Sequence, residues 1–211
     1  MHIPDNYLSP ASCAVLAVAA VPVVGLSITK VKAQLKENKE LAPMLGIAAS
    51  LSFLLMMFNV PIPGGTTAHA VGGVLLSILI GPYAASLALT VALLLQALLF
   101  GDGGILALGA NIFNMAIAMP FVGYAVYHFF RKQNHETAGV LVGSYVGINV
   151  AAFLTAIELG IQPIIATQGG EPLYNPYGLA VTIPAMIVTH LTIAGAVEVF
   201  FTYVIYRFVK Q

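Results

Sequence analysis

Charged side chains are scarce in this 211-residue sequence: Lys, Arg, Asp and Glu together account for 8% of the residues, and hydrophobic residues account for 59%. A soluble domain carries about a quarter charged residues, because its surface faces water. The composition therefore excludes an ordinary water-soluble globular protein. The apolar residues also fall into runs that are long enough, as helices, to cross a hydrocarbon core of about 30 Å. Because helices satisfy their own backbone polar groups in lipid, the sequence predicts an all-α, polytopic membrane protein.

Motifs for catalysis and for energy conversion are also missing from the sequence. It contains no G-x-x-x-x-G-K-S/T loop for nucleotide binding and no H-E-x-x-H pattern within an apolar run. The single cysteine, Cys13, can form neither an internal disulfide nor a thiolate metal cluster. We therefore expect neither an enzyme nor a complete pump, and no catalytic cofactor. If the chain takes part in active transport, another chain must supply the motor.

All eight basic residues lie in three polar segments, residues 30–39, 131–132 and 207–210. Short loops that are rich in Lys and Arg mark the cytoplasmic side of a membrane, so we expect about seven transmembrane helices, with the N terminus outside and the C terminus cytoplasmic. Residues 1–211 are expected to form one transmembrane domain, with residues 1–10 as an extracellular segment. The apolar runs assigned to the spans are residues 11–28, 41–58, 71–80, 84–100, 105–130, 140–160 and 181–206.

The first ten residues, MHIPDNYLSP, contain no basic side chain, and positive charge follows the first apolar run instead. A cleaved signal peptide has a basic segment before its apolar core. We therefore expect an uncleaved anchor with a free amino group on Met1, outside the membrane. Ser9 and Pro10 are typical of a helix start and predict that the first helix begins there.

A free N terminus followed by histidine favours metal binding. The Met1 amine and the His2 amide nitrogen can close a five-membered ring on a metal ion, and that amide and His2 Nδ1 can close a six-membered ring. His69 also falls on the predicted outer side and can supply a fourth nitrogen. Tetragonal nitrogen coordination suits Cu(II) and Ni(II). Polar surface histidines are the alternative interpretation, and spacing alone does not decide between the two.

Other polar residues are weaker candidates. Two aspartates and three asparagines can orient a ligand or attract a cation, but they serve equally well in loops or between helices. A stripe of small residues on the second span can dock a partner or pack internally. His190 lies inside the last span, where ionisable groups are often functional, but no partner for it is evident in the sequence. The orienting candidates are Asp5, Asn59, Asp102, Asn111 and Asn114, and the stripe is Ala42, Gly46 and Ser50.

The opening decapeptide, the segment PGGTTAHA at 63–70 and the turn GDGGI at 101–105 resemble the CbiM/NikM family over the whole chain. These proteins are the metal-binding membrane subunits, or S-components, of energy-coupling-factor importers for nickel and cobalt. The resemblance implies that Met1, His2 and His69 bind the transported ion. It also implies a bacterial or archaeal cell membrane, and as partners a transmembrane coupling protein and an ATPase pair, with lipid around the chain and no nucleic acid.

The form I-P-D-x-Y-L-S-P is more similar to nickel members of that family than to cobalt members, so Ni²⁺ is favoured over Co²⁺ as the substrate. Two alternatives stay open. The first is an S-component for an organic micronutrient such as a vitamin, and the second is a metal carrier that works alone.

Overall fold

A computed structural model describes residues 1–62 and 66–210, and most of that part of the chain is helical. The segment at 63–65, the Pro-Gly-Gly part of the family resemblance, lies outside the described residues. The helices are α1 (Pro10–Glu37), α2 (Leu41–Met57), α3 (Gly73–Ile80), α4 (Pro82–Phe100), α5 (Leu108–Lys132), α6 (Glu136–Gly160), the short α7 (Gln162–Ile165) and α8 (Leu179–Val209). Two small antiparallel hairpins join them: β1 (Val60–Ile62) with β2 (Thr66–Ala68), and β3 (Thr167–Gln168) with β4 (Glu171–Pro172).

The predicted all-α, polytopic membrane architecture is confirmed. In the described part of the chain five helices, α1, α4, α5, α6 continued through α7, and α8, are long and apolar enough to cross a membrane. A sixth, α2, has 17 residues. The helix α3 differs from the prediction of a full span, because its 8 residues rise only about 12 Å. Its outer half is replaced by the β1–β2 hairpin and the loop that follows it.

Glycine and proline explain why the predicted third span is so short. Gly72, with φ 74°, precedes α3, and Gly81, with φ 85°, ends it. Both angles lie in the left-handed region that a residue without Cβ adopts freely. Pro82 then opens α4 at a position where its missing N–H has no cost. The half-helix α3 therefore lies between two glycines, and Val74 in its first turn belongs to the bundle core together with Val71.

The two ends of the bundle differ in chemistry. The α1 helix begins at Pro10, where the Ser9 side chain accepts a hydrogen bond from the Ser12 amide, as the sequence predicts. At the opposite end, Lys210 pairs with Glu136, so the C-terminal end of α8 lies beside the start of α6. The three basic segments lie at this second end, away from Met1. This segregation supports the predicted orientation, with the N terminus outside.

Candidate metal centre

The start of the chain is folded back onto the bundle, where hydrogen bonds hold it at several points. The backbone N–H of Ile3 donates to Asn111 Oδ1 at 2.8 Å, and Asn111 Nδ2 donates to the Ile3 carbonyl at 3.1 Å. The same carbonyl accepts from the Gly104 amide at 2.9 Å. Ile3 is only 1% exposed. Asn111 on α5 therefore holds the peptide groups on both sides of Ile3, one of which joins Ile3 to His2.

Further along the segment, Asp5 binds the turn that precedes α5. Its carboxylate accepts from the amides of residues 105, 106 and 107 at 3.1, 2.9 and 3.3 Å. The Ser9 amide donates to Gln162 Oε1 at 3.0 Å, and the Tyr7 carbonyl accepts from the Asn175 amide at 3.2 Å. Contacts from distant parts of the sequence thus hold the first nine residues in one conformation.

The imidazole of His2 is oriented by Gln96 on α4. His2 Nε2 lies 3.2 Å from Gln96 Oε1, an acceptor, so Nε2 carries the proton. Nδ1 then keeps its lone pair, and it is the nitrogen that closes the six-membered ring with the His2 amide. Asp102 Oδ1 lies 3.6 Å from this Nδ1. The orientation therefore presents the nitrogen that the chelate requires, with a carboxylate beside it.

His69 follows β2 and is 9% exposed. Its Nδ1 donates to the Ala70 carbonyl at 3.2 Å, so Nε2 holds the free lone pair. The rings of His2 and His69 have centroids 5.1 Å apart and planes at 39°. Two imidazoles bound side by side to one ion at about 2.0 Å place their centroids on the order of 4.5 Å apart. The observed separation needs only a small movement to reach that value.

Burial favours the uncharged, metal-binding forms of these groups. It lowers the pKa of His2 and that of His69 to about 3, and the neighbouring Met1 amine lowers both further than burial alone. Burial also lowers the pKa of the Met1 amine, against the opposing effect of Asp102. Because a proton competes with a metal ion for each lone pair, lowered pKa values keep these nitrogens available near neutral pH.

Residues 2–211 match the family model CbiM, described as the cobalt uptake substrate-specific transmembrane region. The chain belongs to the CbiM family. It is 65% identical over its full length to a protein named probable fused nickel transport protein LarMN of Lactiplantibacillus plantarum, and 49% identical over 94% of its length to the fused nickel transport protein NikMN of Rhodobacter capsulatus. It spans 65% and 58% of those longer relatives.

Structural similarity agrees with the family assignment. A crystal structure described as a truncated transition metal transporter shares 53% identity and a TM-score of 0.94, covering 100% of this chain and 98% of the other. A cobalt transport protein CbiM of Clostridium tetani is 31% identical over 81% of this chain and 70% of its own. CbiM is a family of metal transport components, and it is not an enzyme family. The resemblance seen in the opening decapeptide is thereby confirmed.

In this CbiM chain the predicted orienting residues divide into two groups. Asp5 lies within the N-terminal segment and binds the turn before α5, and Asp102 and Asn111 lie beside that segment. Asn114 lies elsewhere. Its side-chain amide donates to Thr155 and Glu158 at 3.1 and 2.7 Å and so joins α5 to α6, which is the alternative role of a polar residue between helices. Asn59 is exposed, and no side-chain hydrogen bond of Asn59 to the rest of the described chain is present. Among the described residues, neither Asn59 nor Asn114 makes a hydrogen bond with His2 or His69.

Among the described residues, no hydrogen bond joins the remaining histidines to the pair, although His190 is close enough to the Met1 amine to interact with its charge. His128 and His135 are exposed at the end of the bundle opposite Met1. His190 is buried in α8, and its Nδ1 donates to the carbonyl of Met186 in the same helix at 2.7 Å. The small-residue stripe is exposed along α2, where a Cβ added at Gly46 would meet no atom within 4 Å.

Two buried residues of the CbiM chain were missed by sequence reasoning. Gln96 is 0% exposed in an apolar helix, and no pattern in the sequence linked it to His2. Glu198 is 0% exposed in α8, and its carboxylate accepts hydrogen bonds from the amides of Val71 and Gly72. An acidic residue inside a span was the available signal for Glu198, because such groups are seldom without a role.

Proposed function

We propose that this chain is the substrate-capturing membrane subunit of an energy-driven importer and that it binds Ni²⁺ at the extracellular face. The ligands are the Met1 amine, the amide nitrogen and Nδ1 of His2, and Nε2 of His69. The observation that carries this proposal is the fixed, buried N terminus, which holds the His2 ring 5.1 Å from that of His69.

The backbone at the start of the chain is suited to this chemistry. Among the described residues, neither the Met1 amine nor the His2 amide nitrogen donates a hydrogen bond. Both nitrogens are therefore free to bind, the amide after losing its proton. Four nitrogens in a square suit Ni(II) or Cu(II), whereas Mg²⁺ and Ca²⁺ require oxygen ligands. The site would thus select a transition metal over the abundant hard cations.

Nickel is favoured over cobalt by the pattern of similarity. The relatives at 65% and 49% identity are named as nickel transport proteins, and the cobalt transport protein of Clostridium tetani is 31% identical. Square coordination by nitrogen agrees with that preference, because it suits Ni(II).

The partners proposed are a transmembrane coupling protein and an ATPase pair, which would drive release of the ion into the cytoplasm. The chain has no nucleotide-binding glycine loop of its own. The exposed stripe of Ala42, Gly46 and Ser50 on α2 allows the close helix approach that docking of a coupling protein needs. Transport of the metal by the chain alone and capture of an organic micronutrient are the two alternatives, and the binding test below separates the second of them from metal capture.

The test is Ni²⁺ binding by calorimetry to the full chain purified in detergent with a free Met1. The first comparison adds three residues before Met1, which leaves every side chain in place and removes the amine from the chelate. A one-residue extension is unsuitable, because it puts histidine third in the chain, where an amine, two amides and an imidazole form a new chelate. The second comparison is His69→Ala, with His128→Ala as the matched control, since His128 is exposed far from Met1.

The proposal predicts one tightly bound ion per native chain, weak binding by the extended chain and by His69→Ala, and native affinity in His128→Ala. Equal binding by native and extended chains would show that Met1 and His2 are not ligands. Absence of Ni²⁺ binding in the native chain and in every variant would refute the metal-binding hypothesis and favour an organic substrate.

A further inference from the structure

The segment that carries His69 is held from two sides by side chains from distant helices. From α8, Glu198 Oε2 accepts from the Val71 amide at 2.6 Å, and Oε1 and Oε2 accept from the Gly72 amide at 3.1 and 3.2 Å. From α2, the Ser52 hydroxyl donates to the Val71 carbonyl at 2.7 Å. Both polar groups of Val71 and the amide of Gly72 are therefore bound by residues that lie outside their own segment.

Glu198 and Ser52 together form a clamp on Val71 and Gly72. The position of this clamp at the start of α3 explains why a carboxylate is buried there. Gly72 immediately precedes α3, whose first amides have no partner within the helix. No side chain caps this helix locally, because the residue at its start is glycine. Glu198 supplies the acceptor from another helix, and a negative charge is favoured at the positive end of the helix dipole. Glu198 is fully buried, and the two amides are the partners that compensate for its burial.

The clamp also leaves little freedom between itself and the imidazole. Ala70 and Val71 are 1% and 0% exposed, and the His69 ring bonds to the Ala70 carbonyl. At Gly72 the chain has φ 74°, and a Cβ there would lie 2.8 Å from Leu55 Cδ1. The direction of His69 Nε2 is therefore set by the peptide groups that Glu198 and Ser52 bind.

We propose that Glu198, assisted by Ser52, is a positioning residue that holds His69 in the metal-binding arrangement and so links the last transmembrane helix to the captured ion. This inference rests on the proposed function, because it assigns Glu198 a role through His69. A movement of α8 relative to α3 would withdraw the fourth nitrogen while Met1 and His2 keep theirs. The clamp thus provides one route by which a helix displacement inside the membrane lowers the affinity for nickel.

The test compares Glu198→Gln with Glu158→Gln in the full chain in detergent. Both change a buried acid within a span to its amide, but Glu158 bonds to Asn114 and, among the described residues, makes no hydrogen bond with the segment from His69 to Gly72. Glutamine keeps the length of Glu198 but presents an N–H₂ group to backbone donors. Loss of a residue that orients a metal ligand weakens metal binding on the order of 10- to 100-fold, and we expect this for Glu198→Gln. Glu158→Gln should bind Ni²⁺ like the native chain.

Two further measurements separate positioning from general stability. The visible absorption band of bound Cu²⁺ should shift to longer wavelength in Glu198→Gln, as it does in His69→Ala, because an imidazole nitrogen is replaced by water. Since Glu198 acts only through His69, the double variant Glu198→Gln/His69→Ala should bind no more weakly than His69→Ala alone. Ser52→Ala, which removes one neutral hydrogen bond, should show the same band shift with a several-fold loss of affinity.

Native affinity and an unshifted band in Glu198→Gln, with clear loss in His69→Ala, would overturn this inference alone. Further loss in the double variant would also overturn it, because Glu198 would then act elsewhere. If Glu198→Gln does not fold, an unshifted band and native affinity in Ser52→Ala refute the clamp. Absence of Ni²⁺ binding in the native chain would instead refute the proposed function on which the inference rests.

Discussion

Replacement of Asn111 by alanine isolates the contribution of a prearranged N terminus. Asn111 makes two hydrogen bonds with the peptide groups of Ile3, at 2.8 and 3.1 Å, and both groups are buried. A hydrogen bond of this kind contributes about 1 kcal/mol net, so removal of the pair costs about 2 kcal/mol. In the variant, nickel must order the chain start before it binds, and the same free energy then appears in the dissociation constant as a loss of about 30-fold.

The matched control for this variant is Asn114→Ala. Asn114 lies three residues further along the same helix, is equally buried, and bonds to α6 instead of to the N-terminal segment. Calorimetric titration with Ni²⁺ should therefore show about 30-fold weaker binding for Asn111→Ala and unchanged binding for Asn114→Ala. Equal affinities in the native chain and Asn111→Ala, with both variants folded, would refute the reasoning that Asn111 prearranges the ligands.

Three further predictions concern protons, backbone and tautomer. Burial holds the pKa of His2 and His69 at about 3 and lowers that of the Met1 amine, so at pH 8 the two metal-binding imidazole nitrogens carry no proton. The His2 amide is then the main source of the proton that nickel displaces. The affinity for Ni²⁺ should then rise about tenfold per pH unit. Calorimetry in buffers of different ionisation enthalpy should find about one proton released per ion bound, and no release would contradict ligation by the amide. Gly72→Ala should lower the melting temperature through its φ of 74° and its clash with a neighbouring side chain, whereas Gly46→Ala, in open space, should not. Gln96→Leu removes the acceptor that holds the proton on His2 Nε2, so Ni²⁺ should bind about tenfold more weakly, and native affinity would show that Gln96 does not set the tautomer.

The sequence predicted most of the fold because the membrane imposes simple rules. Apolar runs of sufficient length gave the spans, and Gly81 and Pro82 marked the break between α3 and α4. The short α3 was missed because composition does not distinguish an apolar half-helix from a full span. Ser77 is the one polar side chain in residues 71–80, and only the left-handed Gly72 and the preceding hairpin show that the helix starts at Gly73.

In the proposed metal centre, the part that the sequence predicts is the part made by neighbouring residues in the chain. Met1 and His2 are adjacent, so their chelate follows from connectivity, and the resemblance to the family supplied His69. The residues that support these ligands could not be found in this way. Gln96 lies 94 residues from His2, and Glu198 lies 127 from Val71. Such pairs form only after the helices pack. In the sequence, each of these residues is simply a single polar side chain within an apolar run, with no visible partner.

The central claim is a square of four nitrogens from the N terminus and two imidazoles, and X-ray absorption of the nickel-loaded chain tests it most directly. The account predicts a four-coordinate, planar nickel with nitrogen ligands and the scattering pattern of two imidazole rings, one of which disappears in His69→Ala. Six-coordinate nickel with mainly oxygen neighbours, unchanged by that substitution, would contradict it.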